Sequence, residues 1–193
     1  MSLTPSTMLA LGTQAPNFNL LDTVTDKIFS LESFAGKKAL LVMFICQHCP
    51  YVQHIKKELA RLGKNYAKSD IGIVAISSND AENYKDDAPE GLKAMAVAEG
   101  FTYPLLYDES QEVAKAYTAA CTPDIFLFDK DRKLVYRGQL DDSRPGNNKP
   151  VTGGDLRAAI EAVLADQAVT TDQRPATGCN IKWKPGNEPD YFK

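Results

Sequence analysis

The stretch Ala39–His54, ALLVMFICQHCPYVQH, decides the fold. Its first seven residues, Ala39 to Ile45, are an unbroken apolar run of strand length. Such a run fits a β-strand covered on both faces. Beyond Pro50, the residues Val52, Ile55, Leu59, Leu62 and Tyr66 recur at helical spacing, with Gly63 late in the pattern. Between strand and helix stands Cys46-Gln47-His48-Cys49. Proline is favoured at the first helical position, so Pro50 predicts a helix starting at residue 50 with Cys49 as its N-cap. Unpaired N–H groups and the partial positive charge at a helix start favour thiolate over thiol. Positions of this kind lower a cysteine pKa from about 8.5 to roughly 3.5–7.5. Cys49 is therefore the expected nucleophile, and Cys46, three residues earlier, the expected second thiol. His48 adds to the stabilisation of the thiolate if protonated, which makes a disulfide here more oxidising; the competing reading is a solvated loop histidine. A lone strand-end cysteine would read as a small buried residue. The C-x-x-C pair reads as redox chemistry.

Outward from this core, Asn17 to Leu21 and Lys27 to Leu31 read as a hairpin. Ile71 to Ile76 is a second buried strand. Asp80 to Glu99 has a helical pattern interrupted at Pro89-Glu90-Gly91, which predicts two helical pieces. Tyr103 to Tyr107 suits a short strand and Ser110 to Ala119 a helix. Ile125 to Phe128 and Lys133 to Gly138 form a strand pair about the turn-like Asp129-Lys130-Asp131. The last helix starts near Asp155, its expected N-cap, with Leu156, Ala159, Ile160, Val163 and Leu164 on one face. The order predicts an α/β layered sheet of mixed direction. From Asp166 on there is no periodicity, and Pro, Gly and Asn are frequent. The expectation is one domain over residues 11–166 and a tail over residues 167–193. His54 is expected on the helix surface, paired weakly with Glu58 one turn on. Leu140 to Lys149 reads as a solvated loop, with Arg144 the group in it that could meet an anionic partner.

The chain has 193 residues, 44% of them hydrophobic and 24% charged, with net charge −3. That length supports a sizeable core, and an acidic balance argues against nucleic acid as a partner. No apolar run approaches the roughly 18 residues of a membrane span. Met1 to Leu11 lacks the basic and apolar regions of a secretory signal, so the expected location is cytoplasmic. The cysteines Cys46, Cys49, Cys121 and Cys179 are too few for a disulfide scaffold.

With these residues in view, the sequence resembles the thioredoxin superfamily, in its peroxiredoxin-like branch of alkyl hydroperoxide reductase/thiol-specific antioxidant (AhpC/TSA) domains, and the TlpA-like thioredoxins. The resemblance rests on Leu40–His54, Cys121–Asp129 (CTPDIFLFD), Leu134–Asp142 (LVYRGQLDD) and Gly178–Trp183 (GCNIKW), and extends from about Leu11 onward. It implies a thioredoxin-like fold: a central mixed β-sheet with helices on both faces, an N-terminal hairpin and a C-terminal extension. Setting Phe44 on the phenylalanine of the TlpA-like Phe-Trp-Ala-x-Trp-Cys-x-x-Cys motif places Cys49 at the attacking cysteine and Val52 at the second. The usual resolving thiol is then missing, and Cys46, Cys179 or Cys121 must replace it. The peroxidatic Pro-x-x-x-Thr-x-x-Cys pattern is absent as well. Counted back from Cys49, its Thr and Pro places hold Cys46 and Val42.

Thr122-Pro123 resembles the cis-proline loop that faces the active cysteine. Only about 5% of X-Pro bonds in folded proteins are cis, so the resemblance alone carries this expectation. It makes Thr122, Pro123 and Pro50 substrate-contacting positions, with Thr122 offering backbone groups to an extended substrate. Cys121 is expected in the core. Cys179 lies beside Trp183, whose large ring can anchor the tail. Thirteen extended residues from Asp166 reach at most about 45 Å, enough for the active site. The expected activity is thiol–disulfide exchange on a disulfide or thiol substrate, with no cofactor. The alternatives are a thiol peroxidase acting on peroxide, a zinc or copper module using Cys46, His48, Cys49 and one of Cys121 or Cys179, and a non-catalytic binding domain.

Overall fold

The computed structural model describes residues 3–192; Met1, Ser2 and Lys193, at the ends of the N-terminal segment and the tail, lie outside the described residues. The elements follow in the order β1 (Leu3–Pro5), β2 (Asn19–Asp22), β3 (Ile28–Ser30), β4 (Ala39–Phe44), α1 (Pro50–Tyr66), β5 (Ile71–Ser77), α2 (Pro89–Glu99), β6 (Leu105–Tyr107), α3 (Glu112–Ala116), β7 (Cys121–Thr122), β8 (Asp124–Phe128), β9 (Leu134–Gly138), α4 (Gly154–Leu164) and β10 (Thr177–Asn180). Seven strands form the main sheet in the order β3-β2-β6-β5-β4-β8-β9. At its centre β4 pairs parallel with β5 and antiparallel with β8.

Every residue of β4 is buried, and its side chains divide with period two. Leu41, Met43 and Ile45 face a cluster built with Val52, Ile55, Leu59 and Leu62 of α1, Leu92 of α2, and Leu156 and Ile160 of α4. Leu40, Val42 and Phe44 face the other layer, with Val113 of α3, Tyr117, Phe126, Phe128, Ile181 and Trp183. Each such fully buried side chain contributes about 1.5–3 kcal/mol relative to exposure, so β4 cannot slip or leave. Its C-terminal end is thereby a fixed platform for the loop that follows.

Several boundaries differ from the sequence expectation. Pro89 does not interrupt a helix; it starts α2, preceded by a single 3-10 turn at Lys85–Asp87. Gly153, at φ 69°, caps α4, while Asp155 lies in the first turn and accepts a 2.6 Å hydrogen bond from Gln139 Nε2. The expected helix from Ser110 to Ala119 shrinks to five residues. Among the described residues no helix is long and apolar enough to cross a membrane.

The larger difference is a second sheet. β10, in a stretch without sequence periodicity, lies between β1 and β7, antiparallel to both. Residues after β10 return to the core, with Ile181 1% and Trp183 8% exposed. Trp183 meets Tyr191 edge-on at 6.3 Å.

Candidate active site

Cys49 is the N-cap of α1, in extended conformation, with Pro50 at the first helical position. Its Sγ lies 3.2 Å from the Thr122 carbonyl oxygen, a thiol-to-carbonyl hydrogen bond when protonated. The neighbouring Cys46 thiol is the largest influence on that sulfur and favours its ionisation. Burial opposes ionisation; hydrogen bonds from Cys179 and Thr122 and the Val52 N–H support it, and the pKa falls to about 4. The neighbours move the opposite way. Burial first, then donation to Cys49, holds the Cys46 thiol well above the ordinary cysteine range and pushes Cys179 up to about 12. The shifts favour ionisation of Cys49 over Cys46 and Cys179, with the neighbouring Cys46 thiol the first support and the Val52 N–H at the helix start a further one.

All four cysteines are reduced and buried. Cys46 Sγ also lies 3.3 Å from Thr122 Oγ1 and 4.0 Å from His48 Nδ1. Cys121 is a core thiol: its Sγ reaches the Pro123 carbonyl at 3.5 Å, and burial raises its pKa well above the usual value. The Thr122–Pro123 bond is cis.

His48 is not a solvated loop residue. Its ring stacks on Tyr84 at 5.2 Å, and Nδ1 bonds to Asp87. Asp87, fully buried, is the site residue that sequence reasoning missed. One of its oxygens accepts the Gln47 N–H at 2.7 Å and the His48 N–H at 3.1 Å. The other accepts the Asn79 amide at 2.7 Å as well as the His48 ring. Burial works against this carboxylate, yet His48 and Asn79 outweigh it and lower its pKa. It fixes the loop between the two cysteines from about forty residues away, a distance at which no motif spacing operates. The one local sign was Asp87-Ala88-Pro89, an acidic residue just before a proline-started helix.

Cys46, His48 and Asp87 place three metal-ligand atoms within 4.8 Å of one another. The His48–Asp87 hydrogen bond already occupies two of those atoms, so a cation would have to break the contact that orders the loop. The expected weak pair of His54 with Glu58 is absent: His54 Nε2 contacts Ser143 Oγ at 2.7 Å. Glu58 is buried and takes Arg157 through Nε at 2.9 Å and Nη2 at 2.7 Å, besides Arg61. Arg144 is held inward, donating to the Asp141 and Ser143 carbonyls and to Gln139.

Thr122 faces Cys49 through its carbonyl, but the strand edge expected to receive a substrate is already taken. Cys179 of β10 stands opposite Thr122 and Asn180 opposite Cys121. Pro50 remains exposed.

The model of the AhpC/TSA family matches residues 11–137, about two thirds of the chain. The chain belongs to the AhpC/TSA family. Thiol-disulfide oxidoreductase ResA of Bacillus thuringiensis subsp. konkukian is 29% identical over 129 residues, 66% of this chain and 68% of the relative. The crystal structure of an uncharacterized conserved protein from Geobacillus kaustophilus matches with a TM-score of 0.94 and 51% identity, covering 96% of this chain and 98% of that one. A putative thiol:disulfide interchange protein DsbE from Chlorobium tepidum shares the fold alone, at TM-score 0.63 and 17% identity, covering 81% and 99%. This AhpC/TSA chain therefore has the thioredoxin fold expected from Ala39–His54.

Proposed function

We propose that the protein catalyses thiol–disulfide exchange, with Cys49 as the attacking sulfur and Cys46 as the resolving one. The observation that carries this reading is the placement of Cys49 as the N-cap of α1 with the Cys46 thiol close by, which together favour its ionised form. The name of the ResA relative supports it. In the first step the Cys49 thiolate attacks a substrate disulfide, forming a mixed disulfide and releasing one substrate thiolate. Cys46 then gives up its proton and attacks the Cys49 sulfur. A Cys46–Cys49 disulfide forms, the second substrate thiolate leaves, and two electrons have passed to the substrate. Asp87 holds the loop that carries both cysteines, and the His48 ring lies 4.0 Å from the Cys46 sulfur.

The test is exchange with a small aromatic disulfide. Cys49→Ser should lower the rate on the order of 10³-fold or more, as loss of a nucleophile does. Cys46→Ser should instead accumulate the mixed disulfide on Cys49, visible as a mass increase. Turnover surviving Cys49→Ser would refute the assignment. A second reading, thiol peroxidation through a Cys49 sulfenic acid that Cys46 condenses with release of water, draws on the family description and on a sulfur that is 0% exposed. Hydroperoxide consumption no faster than by free cysteine would remove it.

A further inference from the structure

The edge of β7 is a place where an extended segment can both pair with backbone and bring a cysteine to Cys49. Thr122, whose carbonyl touches the Cys49 sulfur at 3.2 Å, is a β7 residue. The residue directly across from it is therefore the one that meets Cys49. That residue is Cys179, which is buried in the same core cluster as Cys49. β10 thus occupies the register an attacked polypeptide cysteine would need. Resting on the reading of Cys49 as the exchange nucleophile, we infer that β10 is a specificity element: it fills the strand-addition site, so Cys49 exchanges with low-molecular-mass disulfides and refuses cysteines in extended polypeptide segments.

The seat of β10 is built for permanent occupancy. Gly178 lies so close to Thr122 that an added Cβ would fall 2.0 Å from its carbonyl oxygen and 3.2 Å from Pro123 Cδ. Only a residue without a side chain lets the two backbones meet there. β1 covers the outer edge, with Leu3 opposite Cys179 and Thr4 opposite Gly178. Backbone bonds hold both flanks: Ser6 N–H to the Ala176 carbonyl at 2.8 Å, Ile181 N–H to Ala120 at 3.0 Å, and Asp80 N–H to Lys182 at 2.8 Å. Asn79 joins the two halves of the site, accepting the Lys182 N–H at 2.8 Å while donating to Asp87. Displacing β10 therefore disturbs the core and the active-site loop together. By contrast, the chain neighbours of Cys49 on the loop, Gln47 and His48, are half-buried, and Pro50 is exposed. Side-chain movement there admits a small molecule and leaves every ladder intact.

The experiment compares reduced wild-type protein acting on bis(2-hydroxyethyl) disulfide and on insulin, each rate divided by that of free dithiothreitol on the same substrate. Several backbone hydrogen bonds must open for the polypeptide, so the normalised rate on the small disulfide should exceed that on insulin by about 100-fold or more. Gly178→Val, which cannot seat β10, should narrow that gap by about tenfold or more. Equal normalised rates in the wild type overturn the inference, as does an unchanged gap in a folded Gly178→Val protein. Should that variant fail to fold, the wild-type ratio decides alone. Cys49→Ser retaining small-disulfide turnover would instead sink the nucleophile reading, so the two failures are distinct.

Discussion

At the scale of single residues, the site separates charges by giving equally buried groups unequal partners. Cys49 is sealed from solvent, yet the Cys46 thiol first, then Cys179, Thr122 and the Val52 N–H at the helix start, lower its pKa to about 4 even with the Thr122 carbonyl oxygen 3.2 Å from its sulfur. Asp124, which follows the cis proline, is the opposite case. It is 0% exposed; one oxygen accepts the Ala120 N–H at 3.1 Å and the other has no partner. Burial dominates and raises its pKa to about 7. The unfolded value is near 3.9, so the fold prefers the neutral acid. Its contribution to stability is complete below about pH 4 and is lost as pH rises through about 7, a change of about 4 kcal/mol. Asp124→Asn should remove that pH dependence, read as the difference in denaturant midpoint between variant and wild type from pH 4 to 8. A difference that stays constant with pH would contradict this. Cys49 was legible from sequence because proline at a helix start leaves a local mark. Asp87 was not, because its hydrogen bonds to Gln47 and His48 depend on the fold and on no nearby residue type.

At the scale of elements, α1 and the turn before α2 act together. β4 presents the Cys46–Cys49 loop, α1 supplies its field, and the Lys85–Asp87 turn clamps it from the side. The clamp depends on close packing of that turn against α2. A Cβ on Gly91 would sit 2.1 Å from the Asp86 carbonyl oxygen. Gly91→Ala should therefore lower stability by about 1–3 kcal/mol, the usual cost of overpacking, and slow exchange because the strain is relieved beside Asp87. An unchanged unfolding midpoint would show that the turn yields freely. Pro89-Glu90-Gly91 reads in sequence as a break between two helical pieces; in the structure the proline begins a helix and the glycine admits the preceding turn. The hydrophobic periodicity was correct for the body of α2, while the boundary was set by a contact with the residues before it.

Across the whole molecule, the main sheet follows from local pattern, whereas the second sheet does not. β4, β5 and β8 are apolar runs that any burial argument finds. β1 and β10 are three and four residues long, and β10 pairs with β1 near the start of the chain and with β7 at Cys121–Thr122, both distant from it in sequence. Nothing within either stretch carries period two, so only tertiary pairing reveals them. Their placement turns the tail into a wall of the active site and brings a third thiol to Cys49. The four cysteines therefore differ in reactivity in one defined order. Native reduced protein is treated with iodoacetamide from pH 3 to pH 9, and each cysteine is followed by mass spectrometry. Cys49 should be labelled first, with its rate half-maximal near pH 4, while Cys46, Cys121 and Cys179 stay protected until the protein unfolds. A Cys49 rate that rises only near the ordinary thiol pKa of about 8.5, or earlier labelling of Cys46 or Cys179, would contradict the assignment of Cys49 as the thiolate.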